Sequence, residues 1–402
     1  MSSVPSPKLK WDIFCKVVDN FGDIGVCWRL ACDLAARGHA VRLWVDDTSA
    51  LAWLAPTGCP GVEVIDCSQG LPQAATATTG DVLVDTFGCE FAIYLIASKA
   101  MNTPDTAKNS TKNRPVWLNL EHLTAEGFAE RNHTLPNTHH AGPAAGWTQR
   151  YFYPGFNAQT GGLLREKDLP QRQAAFDKAA WLNQLSQAFN LGFSTHADDT
   201  TPFISLFCYE PAALSQLLDQ LANPAQTTQR THLLVTHGRA AQAVKAVVEH
   251  KKQHETAWNM PELLSILFLP GLTQLDYDHL LWACDLNFVR GEDSLVRAIW
   301  AGKPFVWQIY PQHDDAHHHK LNAFLEVMEA PESLKMAHKA WNADKSESGN
   351  DLENDPENDN DAPSWPELDL PLWAQSAQNL SNKLRQQDDL AANLIAFVEK
   401  NS

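Results

Sequence analysis

The sequence predicts an α/β protein made of two doubly wound parallel-sheet domains in tandem, and three observations carry that expectation. Short apolar runs alternate with stretches of helical period over 11–120, and the same alternation starts again over 203–309. A polar run at 194–202 separates the two series. The chain has 402 residues, 44% of them hydrophobic, which is more than one ordinary core uses and enough to fill two.

In the first series an apolar strand at 11–18 gives way to the turn Asp19-Asn20-Phe21-Gly22-Asp23-Ile24-Gly25. A helical pattern begins near Val26, with Cys27, Leu30, Ala31 and Leu34 on one face, and Gly38 ends it. Further strands are expected at 40–45, 81–86 and 116–120, with Asp46-Asp47 and Glu121-His122 at carboxyl ends. In an open parallel sheet that edge is where ligands bind, so the acidic turn after the first strand is placed for chemistry. Gly22 and Gly25 permit unusual backbone angles and close approach of another molecule. Asp23 has a second reading, as a cap for the helix that follows. The turn is not GxGxxG, so a dinucleotide site is not indicated. Regularity is lost over 121–162, where Phe128, Trp147, Tyr151, Phe152, Tyr153 and Phe156 form part of an acceptor surface or pack between domains.

In the second series, strands are expected at 203–208, 232–236, 265–269, 285–289 and 305–309. Arg290-Gly291-Glu292-Asp293-Ser294 falls directly after one of them and before a helix at 295–301, which Gly302 and Pro304 close. Backbone N–H groups at a helix start suit a phosphate, Ser294 adds a hydroxyl donor, Arg290 neutralises charge, and Glu292 or Asp293 accepts from sugar hydroxyls. Alternatively Asp293 and Ser294 are an N-cap and its neighbour. The expected division is 1–185 and 200–343 for the two domains, 344–363 as a disordered acidic insertion, and 364–402 as a helical segment packing back toward the first domain. The change between domains is placed within 162–202, and the last helix at 373–398.

The formal charge of −17 argues against nucleic acid as the main partner. About half of it is local, since 344–369 holds ten acidic residues and one Lys. No run of eighteen apolar residues exists and residues 1–10 lack an apolar core of the signal-peptide kind, so a cytoplasmic location and no membrane segment are expected. The eight cysteines include no CxxC pair, and buried thiols are expected rather than a metal knuckle or disulfides. His313-Asp314-Asp315 and His317-His318-His319 carry metal-ligand residue types, but adjacent histidines on a helix point apart, so no metal is expected. Trp300 and Trp307 are assigned to the core, and no GxSxG elbow suggests a hydrolase.

Taken together, the turn at 19–25, the Arg-Gly-Glu-Asp-Ser run at 290–294 and Ser205-Leu206-Phe207-Cys208-Tyr209-Glu210 resemble the EarP protein-arginine rhamnosyltransferases, which modify bacterial translation elongation factor P. The resemblance runs from Leu9 to about His338 and leaves the acidic insertion outside. It implies a GT-B glycosyltransferase fold, two facing Rossmann-like domains with a central cleft, in which the first serves the acceptor and the second the nucleotide sugar. It also implies dTDP-β-L-rhamnose as donor, inversion at the anomeric carbon, elongation factor P as protein substrate, and neither metal nor cofactor. Carried onto this chain, Asp23 is the general base, Asp19 supports it or the acceptor arginine, and Glu292, Asp293 and Ser294 serve the donor and the catalytic centre. Asn20, Phe21, Gly22, Arg290 and Gly291 fall in the same donor-binding motifs, and Tyr209 and Gln274 lie near the nucleotide. Gly271 stands where similar sequences have an aromatic that stacks on the base, leaving Tyr277 and Phe207 as candidates for stacking. Two other readings stay open: a GT-B enzyme with another nucleotide sugar or a small-molecule acceptor, and a non-catalytic binding protein.

Overall fold

The computed structural model describes residues 8–18, 21–72, 78–102, 114–223, 230–254, 263–311, 316–343 and 364–401. Contacts divide the chain into two compact units, one running to Leu169 and resuming at Leu384, the other Pro170–Lys383. The first division lies inside the stretch 162–202 and before the 185 expected for the end of the first domain.

The first unit contains β1 Lys10–Cys15, α1 Gly22–Ala36, β2 Ala40–Val45, α2 Leu51–Leu54, β3 Val62–Asp66, β4 Val82–Thr86, α3 Phe91–Asn102, β5 Val116–Leu120, α4 Gly127–Asn132, β6 Pro136–Thr138 and β7 Thr148–Phe152. Its sheet has the order β3-β2-β1-β4-β5-β7-β6, parallel except for β6 against β7. β1 and β4 lie in the middle and are buried almost throughout, whereas the edge strand β3 buries only Ile65 and leaves Glu63, Val64 and Asp66 exposed. Burial of Asp12 in β1 is offset by a two-point ion pair with Arg42 and by the Trp44 indole and Gly80 amide. One face of the sheet is covered by α1 through Ile24, Cys27, Leu30, Ala31 and Leu34.

The second unit follows with α5 Leu169–Ala174, α6 Lys178–Phe189, β8 Phe203–Leu206, α7 Leu214–Ala222, β9 Thr231–Val235, α8 Arg239–His254, β10 Leu264–Phe268, α9 Gln274–Ala283, β11 Leu286–Arg290, α10 Gly291–Ala301, β12 Phe305–Gln308, α11 Ala316–Val327 and α12 Glu332–Trp341. All five strands are parallel, in the order β10-β9-β8-β11-β12. α6 belongs here because Leu182 and Leu185 share a core with Phe203, Leu234 and Leu280. Trp300 and Trp307 are core residues, as expected.

The terminal segment is two helices rather than one, α13 Leu370–Arg385 and α14 Leu390–Asn401. Asp389 ends the break by accepting from the Ala392 amide. Trp373 of α13 is buried and donates to Ser333 Oγ in the second unit. Ala391, Leu394 and Val398 of α14 enter the α1 core of the first unit, where the Leu390 amide donates to Leu163 O at 2.9 Å. Gly162 sits at that junction with φ +74°, and a Cβ there would stand 2.5 Å from Asp388 O.

The acidic stretch 344–363 lies outside the described residues, as do Asp19, Asn20 and His313 to Asp315. All eight cysteines are free, five of them buried and Cys32, Cys59 and Cys89 partly so. No group of three metal-ligating side chains occurs among the described residues, and no helix among them is long and apolar enough to cross a membrane.

Candidate functional site

Each unit brings its part of the sequence motifs to the carboxyl edge of its own sheet, at the point where strand order reverses. In the second unit that point lies between β8 and β11. Arg290 ends β11 and is buried, with its guanidinium 4.5 Å from the Phe207 ring centroid and 4.4 Å from that of Tyr209. It also donates to Cys208 O at 3.2 Å. The cation is therefore held over two aromatic faces, a geometry that stabilises it without a carboxylate.

The helix starts earlier than its sequence pattern suggested, at Gly291, with Arg290 as N-cap and no side-chain cap. Gly291 has φ 72°, which a side chain would resist, so the turn from strand to helix requires glycine. Glu292, Asp293 and Ser294 thus occupy the first turn, and none of them is the N-cap. The Ser294 hydroxyl is already committed, donating to the Arg290 carbonyl. Glu292 forms an ion pair with Lys320 at 2.8 Å, a partner that no motif indicates. Tyr277, one turn into α9, meets Phe207 edge-on at 5.6 Å, and burial beside Asp293 pushes its hydroxyl pKa up. Gln274 opens the same helix, after the Thr273 N-cap.

Several residues at this edge were not found from sequence. Arg239, at the start of α8, makes a two-point ion pair with Glu210, and its guanidinium is 4.7 Å from the Tyr209 ring. Tyr209 therefore has two guanidinium groups on its ring. Gln308 at the end of β12 accepts from the Tyr209 amide at 2.8 Å, and Tyr310 meets that ring edge-on. His237 follows β9, and burial, with Arg290 nearby, lowers its pKa. Two fixed cations over aromatic rings beside a helix start suit a diphosphate with a planar base.

In the first unit the reversal lies between β1 and β4. The Val17 amide donates to Asp46 Oδ1 at 2.9 Å and the Val18 amide to Asp23 Oδ2 at 2.8 Å, which fixes the chain entering the turn. α1 begins at Gly22 with Phe21 as N-cap, so Asp23 is in its first turn and is not the cap. Its side chain is buried to 8% exposure. Gly22 and Gly25 are inside the helix, neither at positive φ, and the unusual angles expected of them do not occur. Phe21 packs edge-on against Trp53 at 5.0 Å. Beside this turn, Phe87 and Glu90 after β4 hold left-handed backbone at φ 55° and 51°. Such conformations in non-glycine residues are costly and gather at functional edges. Phe87 stacks on His122 at 4.6 Å, and Glu121 accepts from Asn119 at 2.6 Å. Tyr151, Tyr153 and Phe128 form one aromatic cluster within this unit, and β6 and β7 give the 121–162 stretch more order than its composition indicated.

The family model described as Elongation-Factor P (EF-P) rhamnosyltransferase EarP matches residues 11–399. A protein-arginine rhamnosyltransferase of Pseudomonas aeruginosa is 38% identical over 406 residues, covering 96% of this chain and 98% of the relative. One from Pseudomonas putida is 40% identical over 354 residues, covering 84% and 88%. Among solved structures, one described as the basis for EarP-mediated arginine glycosylation of translation elongation factor EF-P matches at 28% identity with a TM-score of 0.59, covering 98% of this chain and all of that one.

Proposed function

The chain belongs to the EarP family of elongation factor P rhamnosyltransferases, and from that premise we propose that it transfers rhamnose from dTDP-β-L-rhamnose to one arginine of elongation factor P, with inversion. It is a glycosyltransferase with the α/β, two-Rossmann-unit GT-B architecture. The observation that carries the proposal is the family match over residues 11–399, which takes in both motifs.

A guanidinium is always charged in water and is a poor nucleophile. In the proposed step a carboxylate orients it and accepts its proton while the nitrogen attacks the anomeric carbon of rhamnose. The bond from that carbon to the diphosphate oxygen breaks, and dTDP leaves from the opposite face. Asp23 is the proposed base: it is buried, at the carboxyl edge of β1, and its position is set by the Val18 amide. Asp19 is assigned as its support. Arg290, with the N–H groups of Gly291 to Ser294, is proposed to hold the departing diphosphate, which develops charge as the bond breaks. Phe207 and Tyr277 are the proposed aromatic faces for the thymine in place of an aromatic at 271, with Tyr209 near the nucleotide and Gln274 opening the helix beside them. Glu292, already paired with Lys320, is assigned to the sugar, as are Asp293 and the turn residues Asn20, Phe21 and Gly22. The cytoplasm, where the translation factor works, is the proposed location.

The test is incubation of elongation factor P with the protein and dTDP-rhamnose, followed by peptide mass spectrometry. The expected result is one rhamnosyl group on one arginine. Transfer from another nucleotide sugar, or to a small molecule alone, would replace the substrates named here, and binding without transfer would replace the activity.

A further inference from the structure

β12 is an edge strand of its sheet, yet the outward amide and carbonyl of Trp307 and the amide of Ile309, the residue after the strand, are satisfied. Side chains at the end of α12 do this. The Trp307 amide donates to His338 Nε2 at 3.1 Å, the Ile309 amide donates to Asn342 Oδ1 at 2.9 Å, and Asn342 Nδ2 donates to the Trp307 carbonyl at 2.8 Å. Both side chains are buried, His338 completely. Because Nε2 accepts, the ring proton is on Nδ1, which donates to Leu334 O at 2.9 Å. Asn342 Nδ2 also donates to His338 O, so the two residues hold one another. Two side chains one helical turn apart thus stand in for a missing neighbouring strand.

Covering an edge is common protection against unwanted pairing. Here the covered residues carry something further. The Trp307 indole donates to Gly291 O at 2.9 Å, at the residue that turns β11 into α10. Gln308, paired in register with Arg290, accepts from the Tyr209 amide. From one short strand, therefore, hydrogen bonds reach both the loop after β8 and the turn that carries Glu292 and Asp293.

We propose that His338 and Asn342 are positioning residues for the nucleotide-sugar site, acting through β12 on Tyr209 and Gly291. The proposal rests on the reading that the residues around Arg290 hold the donor. Removing either acceptor leaves a buried amide unpaired, that of Trp307 in β12 or of Ile309 directly after it, which the strand relieves by shifting away from α12. Gln308 and Trp307 then lose their hold on the two loops, and preorganisation of the donor site is lost.

The experiment compares His338→Leu and Asn342→Leu with His338→Gln, whose side-chain oxygen can accept from the Trp307 amide. dTDP binding by calorimetry, steady-state constants for both substrates, and hydrogen exchange of the segment 203–213 are measured on folded protein. The expected result for the leucine variants is dTDP affinity weaker by roughly tenfold or more, a matching rise in donor KM, faster exchange at the Tyr209 amide, and an unchanged acceptor KM. His338→Gln is expected to stay close to wild type in each. Folded leucine variants with unchanged dTDP affinity overturn the proposal, as does His338→Gln that is as impaired as His338→Leu. If the leucine variants do not fold, Asn342→Ala takes their place with the same expectations. Wild-type protein that binds no dTDP overturns the donor reading instead, and exchange at Tyr209 then decides whether the clamp exists.

Discussion

Replacing Asp23 with Asn removes one charge and leaves an oxygen where the carboxylate accepts from the Val18 amide. The structural cost is therefore small. A negative charge in the first turn of a helix contributes about 0.3–1 kcal/mol through the helix dipole, and weakening a charge-assisted hydrogen bond to a neutral one costs about 1 kcal/mol more. Together these lower the melting temperature by a few degrees, at about 2–4 °C per kcal/mol for a unit of this size. Loss of a general base costs about 10² to 10⁴ in rate, equivalent to about 3–5 kcal/mol of barrier. The two effects separate when transfer is followed in a single turnover with saturating donor, well below the melting temperature, alongside donor affinity by calorimetry. The expected outcome is a slowed chemical step with donor affinity retained. Had Asp23 only a helix-start role, Asn would fill it nearly as well, so single-turnover transfer within about threefold of wild type would refute the assignment and the chemistry built on it.

Arg290→Gln should weaken dTDP binding by roughly ten- to a hundredfold, the worth of a charge-assisted contact, and calorimetry that finds affinity unchanged would move the diphosphate elsewhere. Deleting 344–363 and bridging the ends with a short Gly/Ser linker should leave transfer and melting unaffected. The flanks hold themselves: Trp365 packs on Trp341 at 5.5 Å and donates to Gln220. A large fall in turnover would give the acidic stretch a role. Burial lowers the His338 pKa from 6.5 to about 4. The unfolded chain then binds the extra proton between these values, so this contribution to stability is present above about 6.5 and is lost as pH falls toward about 4, on the order of 3 kcal/mol in all. Denaturant unfolding of wild type and His338→Gln across that range should show a shallower acid limb in the variant, and parallel curves would contradict the assignment.

The strands were legible because buried parallel strands are written as apolar runs, and those at 40–45 and 116–120 match the structure to the residue. β3 escaped notice because Glu63 and Asp66 break its apolar run and only Ile65 is buried, and β6 because it is three residues long. Both helix starts were placed too late for one reason: Gly22 and Gly291 are poor helix formers, yet each opens a helix. The motifs at 205–210 and 290–294 gave the residues around Arg290 and included Glu210, but not its partner Arg239, which lies 29 positions on and meets it only because β8 and β9 pair in parallel. Gln308 and Lys320 were hidden likewise, being ordinary polar residues whose partners are set by the sheet and by α11. No periodicity distinguishes such pairs.

The helix α14 completes the first unit's core with residues that follow the whole of the second unit in the sequence. During synthesis this sets an order of events. The sheet of the first unit leaves the ribosome long before Leu394 and Val398, and until they arrive the apolar face beside α1 stays uncovered. The second unit, by contrast, has its five strands and its central helices in hand once α12 has emerged. The unit made first is thus finished last, and a chain that stops near residue 386 would spoil the half of the protein that was already built.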